Sequence, residues 1–363
     1  MFMSETRKIQ KIGNTLYISI PKSWTNELMM KHGEKVTLVT QKDGSISIYP
    51  KTEDSQRREI TLDITRNSSN QSLKRGIIAA YLDGFDTIEL KTETTFTEEQ
   101  HESIRETINN LFGLEVIEVT GNMMMIVCLL KQTMPVNKAI TRIHNVNLLM
   151  FCEMISAIDT HNVDLVKGLT RRTRDIKRLL LVTNRLLRSV ILFPKPSPNG
   201  DITLIDCVDY LQILHINSEI TGNLNKIAKN INSLNGHQLP SPIMKLLVET
   251  SNNIQKLYNN SMQALLSKDI TLANNVLDAS FDLENLWDRC LKSNEKAEIS
   301  SLALANVRLV IDRLEQIQQH VHEIANISID RAEAADAREA STPNLSSKTN
   351  QSIFGKKLGN RSP

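Results

Sequence analysis

The chain has 363 residues, more than one hydrophobic core usually organises, so two or three domains are expected before any motif is read. Lysine and arginine total 43 against 41 acidic residues, a net charge of +2, which excludes a nucleic-acid coat and confines any nucleic-acid site to a local patch. Hydrophobic residues make up 40%, charged residues 23% and aromatics only 4%, a globular composition weighted toward helices packed by aliphatic side chains.

Residues 7–50 alternate as strands do, through Ile9 and Ile12, then Leu16, Ile18 and Ile20, then Val36, Leu38 and Val39, then Ile46 and Ile48. Gly13-Asn14 and Asp43-Gly44 supply turns, and Pro21 closes a strand and opens a short helix near 24–30. Four short strands hold too little apolar surface for a closed core, so residues 1–52 are expected to form a homodimer or higher oligomer.

Residues 58–132 read as a small α+β domain, with strands at 60–64, 87–91, 114–119 and 123–130 and helices at 70–82 and 97–112. From 137 to about 330 the period is helical, and six helices fit, near 137–159, 161–191, 202–234, 241–267, 269–294 and 298–330. Breaks fall at 193–201, with three prolines, and at 235–242.

A shift of 107 residues lays Ala157 on Ala264, Leu165 on Leu272, Asp175 on Asp282, Ile176 on Leu283 and Leu179 on Leu286. A shift of 97 lays Ile227-Ala228 on Ile324-Ala325. Two three-helix repeats, 136–234 and 240–330, are therefore expected, followed by a disordered tail over 331–363, which lacks apolar periodicity. The fold class is thus multidomain and mainly α, with a β domain at the amino terminus and a small α+β domain in the middle.

Cys128, Cys152, Cys207 and Cys290 are far apart and without CxxC spacing, and are read as reduced thiols. No signal-peptide pattern opens the chain, and the most apolar windows are too short or are interrupted by Asn184, Arg185 and Arg188, so a soluble cytoplasmic protein is expected. No GxGxxG, GxxxxGK, HExxH or GxSxG occurs, and no Cys/His pair has catalytic spacing, so no enzymatic activity is expected. His320 and His322 diverge by roughly 200 degrees on a helix, which speaks against joint metal ligation. Met123-Met124-Met125 is read as strand packing.

The first constellation is Arg7-Lys8-Ile9-Gln10-Lys11-Ile12-Gly13-Asn14-Thr15-Leu16, then Ile18-Ser19-Ile20-Pro21-Lys22, then Gly33-Glu34-Lys35-Val36 and Asp43-Gly44. This order resembles the AbrB/SpoVT/MazE swapped-hairpin family across nearly all of residues 7–50, with Thr15 where the family commonly has serine and with Tyr17 as an added aromatic. Arg7, Lys8 and Lys11 cluster three cations beside the short polar Asn14 and Thr15, a set suited to phosphate contact and base-edge hydrogen bonds. Residues 1–50 carry seven basic against four acidic residues, a local excess above that of the whole chain. Double-stranded DNA is the partner that this implies. The alternative is a solvated edge that discourages strand aggregation in a domain that only dimerises.

The second constellation is the helical duplication, which resembles the PhoU family, whose repeats carry acidic (E/D)xxxD motifs on their second and third helices. Asp278-x-x-x-Asp282 keeps that pattern, whereas the first-repeat positions are Arg171 and Asp175, and the third-helix motifs are reduced to Glu315-x-x-x-Gln319 and Ser218-x-x-x-Gly222. The first-repeat metal site is read as lost, with an Arg171–Asp175 ion pair in its place. The second repeat keeps one candidate site for a divalent or trivalent metal, Asp278 and Asp282 with Glu315 from the neighbouring helix, against the alternative of a solvated acidic face.

The domain order resembles regulators described as archaeal phosphate-uptake regulators. The resemblance implies a homodimeric DNA-binding regulator of phosphate homeostasis whose helical region senses status through a partner, a phosphate-transporter ATPase or a signalling kinase. The rival is a dimeric adaptor that binds no DNA and restrains such a transporter or kinase directly.

Overall fold

The computed structural model describes residues 5–40, 45–50, 58–65, 68–130, 135–160, 162–192, 202–234, 239–294 and 300–340. The expected Asp43-Gly44 turn, the 193–201 break and the expected tail beyond Ala340 lie outside the described residues. The described residues separate into two compact units, one formed by those up to Pro50 and the other by those from Arg58 onward.

The first unit begins with a hairpin of β1 (Gln10–Ile12) and β2 (Thr15–Tyr17), paired antiparallel in the register Gln10↔Tyr17, Lys11↔Leu16, Ile12↔Thr15. Only Gly13 and Asn14 lie between the paired residues, and Gly13 takes φ +62, as a two-residue turn with glycine first requires. Pro21 then caps α1 (Lys22–Glu27), which starts before the expected 24–30 segment and ends sooner, because Met29 adopts φ +52. A second antiparallel hairpin joins β3 (Val36–Thr40) to β4 (Ile46–Pro50).

Among the described residues of this unit only Pro21 is buried. Leu16 is 66% exposed, Leu38 64%, Ile12 61% and Ile46 61%, so apolar side chains of both hairpins face water in a single copy. Surface of this kind demands a partner. Sedimentation of the full chain at micromolar concentration should therefore show a dimer or larger species, and Leu16→Glu with Leu38→Glu should shift it toward monomer. A monomeric wild-type chain would overturn this expectation.

The second unit opens with a mixed four-stranded sheet in the order β5-β6-β8-β7, formed by β5 (Glu59–Ile64), β6 (Thr87–Thr92), β7 (Leu114–Val119) and β8 (Met123–Cys128). β5 and β6 pair in parallel across the crossover helix α2 (Asn70–Leu82), and the other pairings are antiparallel. Ser69 caps α2, and Thr97 with Gln100 forms a reciprocal capping box on α3 (Glu98–Asn109). Ile64, Leu73, Ile77, Tyr81, Ile88, Leu90, Ile104 and Ile126 fill the core between sheet and helices. The strand, helix, strand, helix, strand, strand order is the expected one.

The helical region contains α4 (Val136–Thr160), α5 (Val163–Leu192), α6 (Leu204–Asn232), α7 (Ser241–Ser267), α8 (Ile270–Asp278), α9 (Leu283–Asn294) and α10 (Ser301–Ala340). α4, α5 and α6 pack on one another, as do α7, the α8–α9 pair and α10. The two sets join through α4 against α7 and α6 against α10, so equivalent helices meet like with like, as a duplicated unit would pack. Residues related by the repeat have matching burial: Ala157 and Ala264, Ile227 and Ile324, and Ala228 and Ala325 are all fully enclosed. One continuous apolar core runs through both sets.

Three expectations need correction. The fifth helix, expected unbroken over 269–294, is interrupted between Asp278 and Leu283. Gln318 of α10 stabilises the break, because its side chain accepts from the Phe281 N–H at 3.1 Å and donates to the Phe281 carbonyl at 3.2 Å and Ser280 Oγ at 3.3 Å. The last helix does not stop at 330 but continues to Ala340, with Arg331 and Ala332 buried, so the start of the expected disordered tail is helical. The Arg171–Asp175 pair is not formed; Arg172 instead engages Glu153 on α4, 2.7 Å away.

The seam between the two sets holds a buried polar network. Tyr258 of α7 donates through its hydroxyl to Asn217 Oδ1 of α6 at 2.7 Å, Asn147 of α4 donates to the same oxygen at 3.0 Å, and Thr221 donates to Asn147 Oδ1 at 2.8 Å. Each group is satisfied in one arrangement of three helices, so the network favours a single register. Tyr258→Phe should cost about 1–2 kcal/mol by leaving Asn217 short of a donor. A lower urea midpoint with unchanged slope is the expected reading, and an unshifted midpoint would remove the network's role.

Candidate nucleic-acid interface

The β1–β2 hairpin sets the geometry of the sequence-derived basic cluster. Lys11 lies within β1 opposite Leu16, Asn14 occupies the turn and Thr15 opens β2 opposite Ile12. Arg7 and Lys8 precede the first paired residue, so the two-residue alternation of a strand is not imposed on them. All five residues are exposed.

Lys8, Lys11, Asn14 and Thr15 make no side-chain hydrogen bond or ion pair among the described residues. Arg7 differs, since its guanidinium pairs with Glu5. Exposed cations without internal partners can meet phosphate oxygens without first breaking a contact, whereas Arg7 must exchange Glu5 for a nucleic-acid acceptor. The turn projects the Asn14 amide, which has both a donor and an acceptor for a base edge.

The other basic stretch, on α5, is committed largely to packing. Arg172 holds both Glu153 oxygens through its Nε, at 2.9 and 2.8 Å. Arg174 lies close enough to Glu106 of α3 to help, after the dominant Lys74 contact, hold that carboxyl below the usual range. Farther along, Arg178 stacks 4.4 Å from the Phe112 ring centroid, Arg185 donates to the Tyr81 carbonyl and, at 3.1 Å, to that of Phe85, and Arg188 pairs with Asp83. Arg174, Arg178, Arg185 and Arg188 share one face of α5 that meets the α+β layer, with Arg185 adding a donor to the Tyr81 carbonyl at the end of α2 and to the Phe85 carbonyl just beyond it. Sequence periodicity shows that they share a face, but not what the face meets.

The candidate metal ligands are not brought together. Asp278 is the last residue of α8, Asp282 accepts from the Asn285 N–H at 2.9 Å as the cap of α9, and the break between them removes the common helix face expected of an i, i+4 pair. Among the described residues no group of three or more His, Cys, Asp or Glu side chains is placed to hold a metal ion, and Asp278, Asp282 and Glu315 therefore do not fit the implied site. Among the described residues no helix is long and apolar enough to cross a membrane.

Comparison with known proteins places a domain-level match on the hairpin unit: residues 9–56 match the family described as antidote-toxin recognition MazE, bacterial antitoxin. No curated protein matches the chain. Among solved structures, the crystal structure of PhoU from Pseudomonas aeruginosa aligns with a TM-score of 0.49 and 14% identity, covering 55% of this chain and 96% of that chain.

Proposed function

We propose that this protein is a dimeric DNA-binding transcriptional regulator of phosphate homeostasis, with the β1–β2 hairpin contacting duplex DNA and the helical region sensing phosphate status through a partner protein. The observation that carries the DNA reading is the coincidence of the family match over residues 9–56 with exposed, unpartnered Lys11, Asn14 and Thr15 on one hairpin, and Lys8 immediately before it. In a two-fold dimer this cluster occurs twice, which suits a pseudo-palindromic duplex.

The link to phosphate, and to a transporter ATPase or signalling kinase as partner, is supported by the sequence resemblance of the duplicated helical region. No catalytic step is assigned. The exposed apolar strands support dimerisation, which is also the whole role of the first unit in the adaptor reading, where it does not touch DNA.

Binding of the full chain to a fragment of its own upstream region, followed by fluorescence anisotropy across a salt series, separates the two. The regulator reading expects affinity that falls steeply and linearly on a log–log plot, and tighter binding than to a scrambled fragment. Salt-independent or absent binding would favour the adaptor. Derepressed phosphate uptake in cells lacking the protein would support the phosphate link, and unchanged uptake would remove it.

A further inference from the structure

Alternation along the strands of the α+β layer sorts its sheet into two faces. Ile60, Leu62, Ile64, Ile88, Leu90 and Ile126 belong to the core shared with α2 and α3. On the opposite face the register places Thr61, Glu89, Met125 and Glu118 in a middle rung. Glu59, Thr87, Val127 and Glu115 form the rung on one side of it, and Asp63, Lys91 and Met123 the rung on the other. The irregularity between Val116 and Glu118 is what returns Glu118 to the face of Glu115.

Charge on this face is arranged by strand. In its interior, Glu89 is answered by Lys91 at 2.9 Å and by the Thr61 hydroxyl at 2.9 Å. Glu59 and Asp63 on the edge strand β5, and Glu115 and Glu118 on the edge strand β7, are exposed and have no side-chain hydrogen bond or ion pair among the described residues. Between these acidic margins β8 sets the half-buried Met123 and Met125. Thioether side chains adapt to the shape of an apolar group that reaches them.

This layout selects its occupant. Nucleic acid and anionic lipid would meet carboxylates on both margins, and none of the face's residues is an aromatic on which a base could stack. A single metal ion is too small, because among the described residues no three such side chains are placed to hold one. β5 and β7 lie three strand spacings apart, about 14 Å, whereas a helix with its side chains is about 10–12 Å across. A helix lying along the strands can therefore seat an apolar ridge on Met123 and Met125 while its lysine or arginine side chains reach both margins. We propose that the open face of this sheet docks a basic amphipathic helix of a partner protein. The proposal uses none of the hairpin residues, so it stands or falls separately from the DNA reading.

The test uses the full chain, isotopically labelled at its methionine methyl groups, and peptide probes of about 18 residues, some five helical turns. One probe is a leucine–lysine helix with its leucines on one face, a second carries glutamate in place of lysine, and a third has the composition of the first without helical periodicity. The basic amphipathic helix should bind, as read by fluorescence anisotropy, and should shift the methyl signals of Met123 and Met125 but not that of Met124, which is 4% exposed on the core face. The other two peptides and spermine should bind about tenfold or more weakly. Glu59→Gln, Asp63→Asn, Glu115→Gln and Glu118→Gln combined should weaken the basic helix by about tenfold, and Met125→Ser alone by about threefold. All four carboxylates are exposed, so the combined variant should keep the wild-type melting temperature. Absence of binding, unmoved Met123 and Met125 signals on binding, equal binding of the non-helical peptide or spermine, or undiminished binding by either variant would overturn the proposal.

Discussion

On the proposed regulator reading, replacing Lys8 and Lys11 together with alanine should weaken binding to every duplex tested by on the order of 10²–10³-fold near physiological salt, since a dimer would lose four proposed phosphate contacts at once. The slope of log affinity against log salt should flatten by about one for each phosphate no longer neutralised. Arg7→Ala and Asn14→Ala should act differently, relaxing sequence preference at a cost of roughly 1–3 kcal/mol for each bidentate base interaction removed. The Arg7–Glu5 pair sharpens the case, because Glu5→Gln frees the guanidinium and should strengthen DNA binding. Arg171, Arg172 and Arg174 serve as the internal control: Arg172 is held by Glu153 and Arg174 lies near Glu106. Undiminished binding by the Lys8/Lys11 variant, with loss in a triple alanine variant on α5, would move the DNA site to the helical region.

Asp206→Ala should destabilise the second unit by about 3–5 kcal/mol, because it strips the main partner from a buried guanidinium. Arg331, with its side chain 6% exposed, donates to Asp206 Oδ1 at 3.0 Å, stacks 4.1 Å from the Tyr210 ring centroid and has Nε 3.7 Å from Asp209. Asp206 also completes the α6 capping box, accepting from the Thr203 hydroxyl at 2.6 Å and the Thr203 N–H at 2.9 Å. Arg331→Met removes the charge while keeping an apolar stem and should cost far less, which separates an abandoned charge from a packing defect.

The pH dependence has a defined sign. Burial pushes the Asp206 carboxyl up, but the Thr203 and Arg331 contacts outweigh it and hold the group below the usual carboxylate range. Its contribution is therefore complete above the unfolded carboxylate pKa and disappears as pH falls through the lowered folded value. The stability gap between wild type and Asp206→Asn should narrow in acid, as read by urea midpoints, and a gap independent of pH would refute the linkage.

Strand and helix order was legible in the sequence wherever periodicity met a local stop signal. Gly13-Asn14 closes its hairpin, Pro21 opens the short helix after it, and the matched burial of Ala157 with Ala264 follows a duplication visible in the sequence alone. The basic cluster at Arg7, Lys8 and Lys11 is legible for the same reason: its residues are neighbours along the chain, and exposure leaves their chemistry unaltered. What the sequence could not determine depends on groups brought from far apart. The i, i+4 spacing of Asp278 and Asp282 promises a shared face, but Gln318, nearly forty residues later, satisfies the backbone of a break between them. Arg331 reads as the start of a polar tail until Asp206 and Tyr210 enclose it. Arg185 and Arg188 read only as interruptions of an apolar window until Tyr81, Phe85 and Asp83 are set against them. Local propensity and spacing act over a few residues of chain, whereas burial and pairing of a charge are set by whatever the fold places beside it, which only the tertiary structure decides.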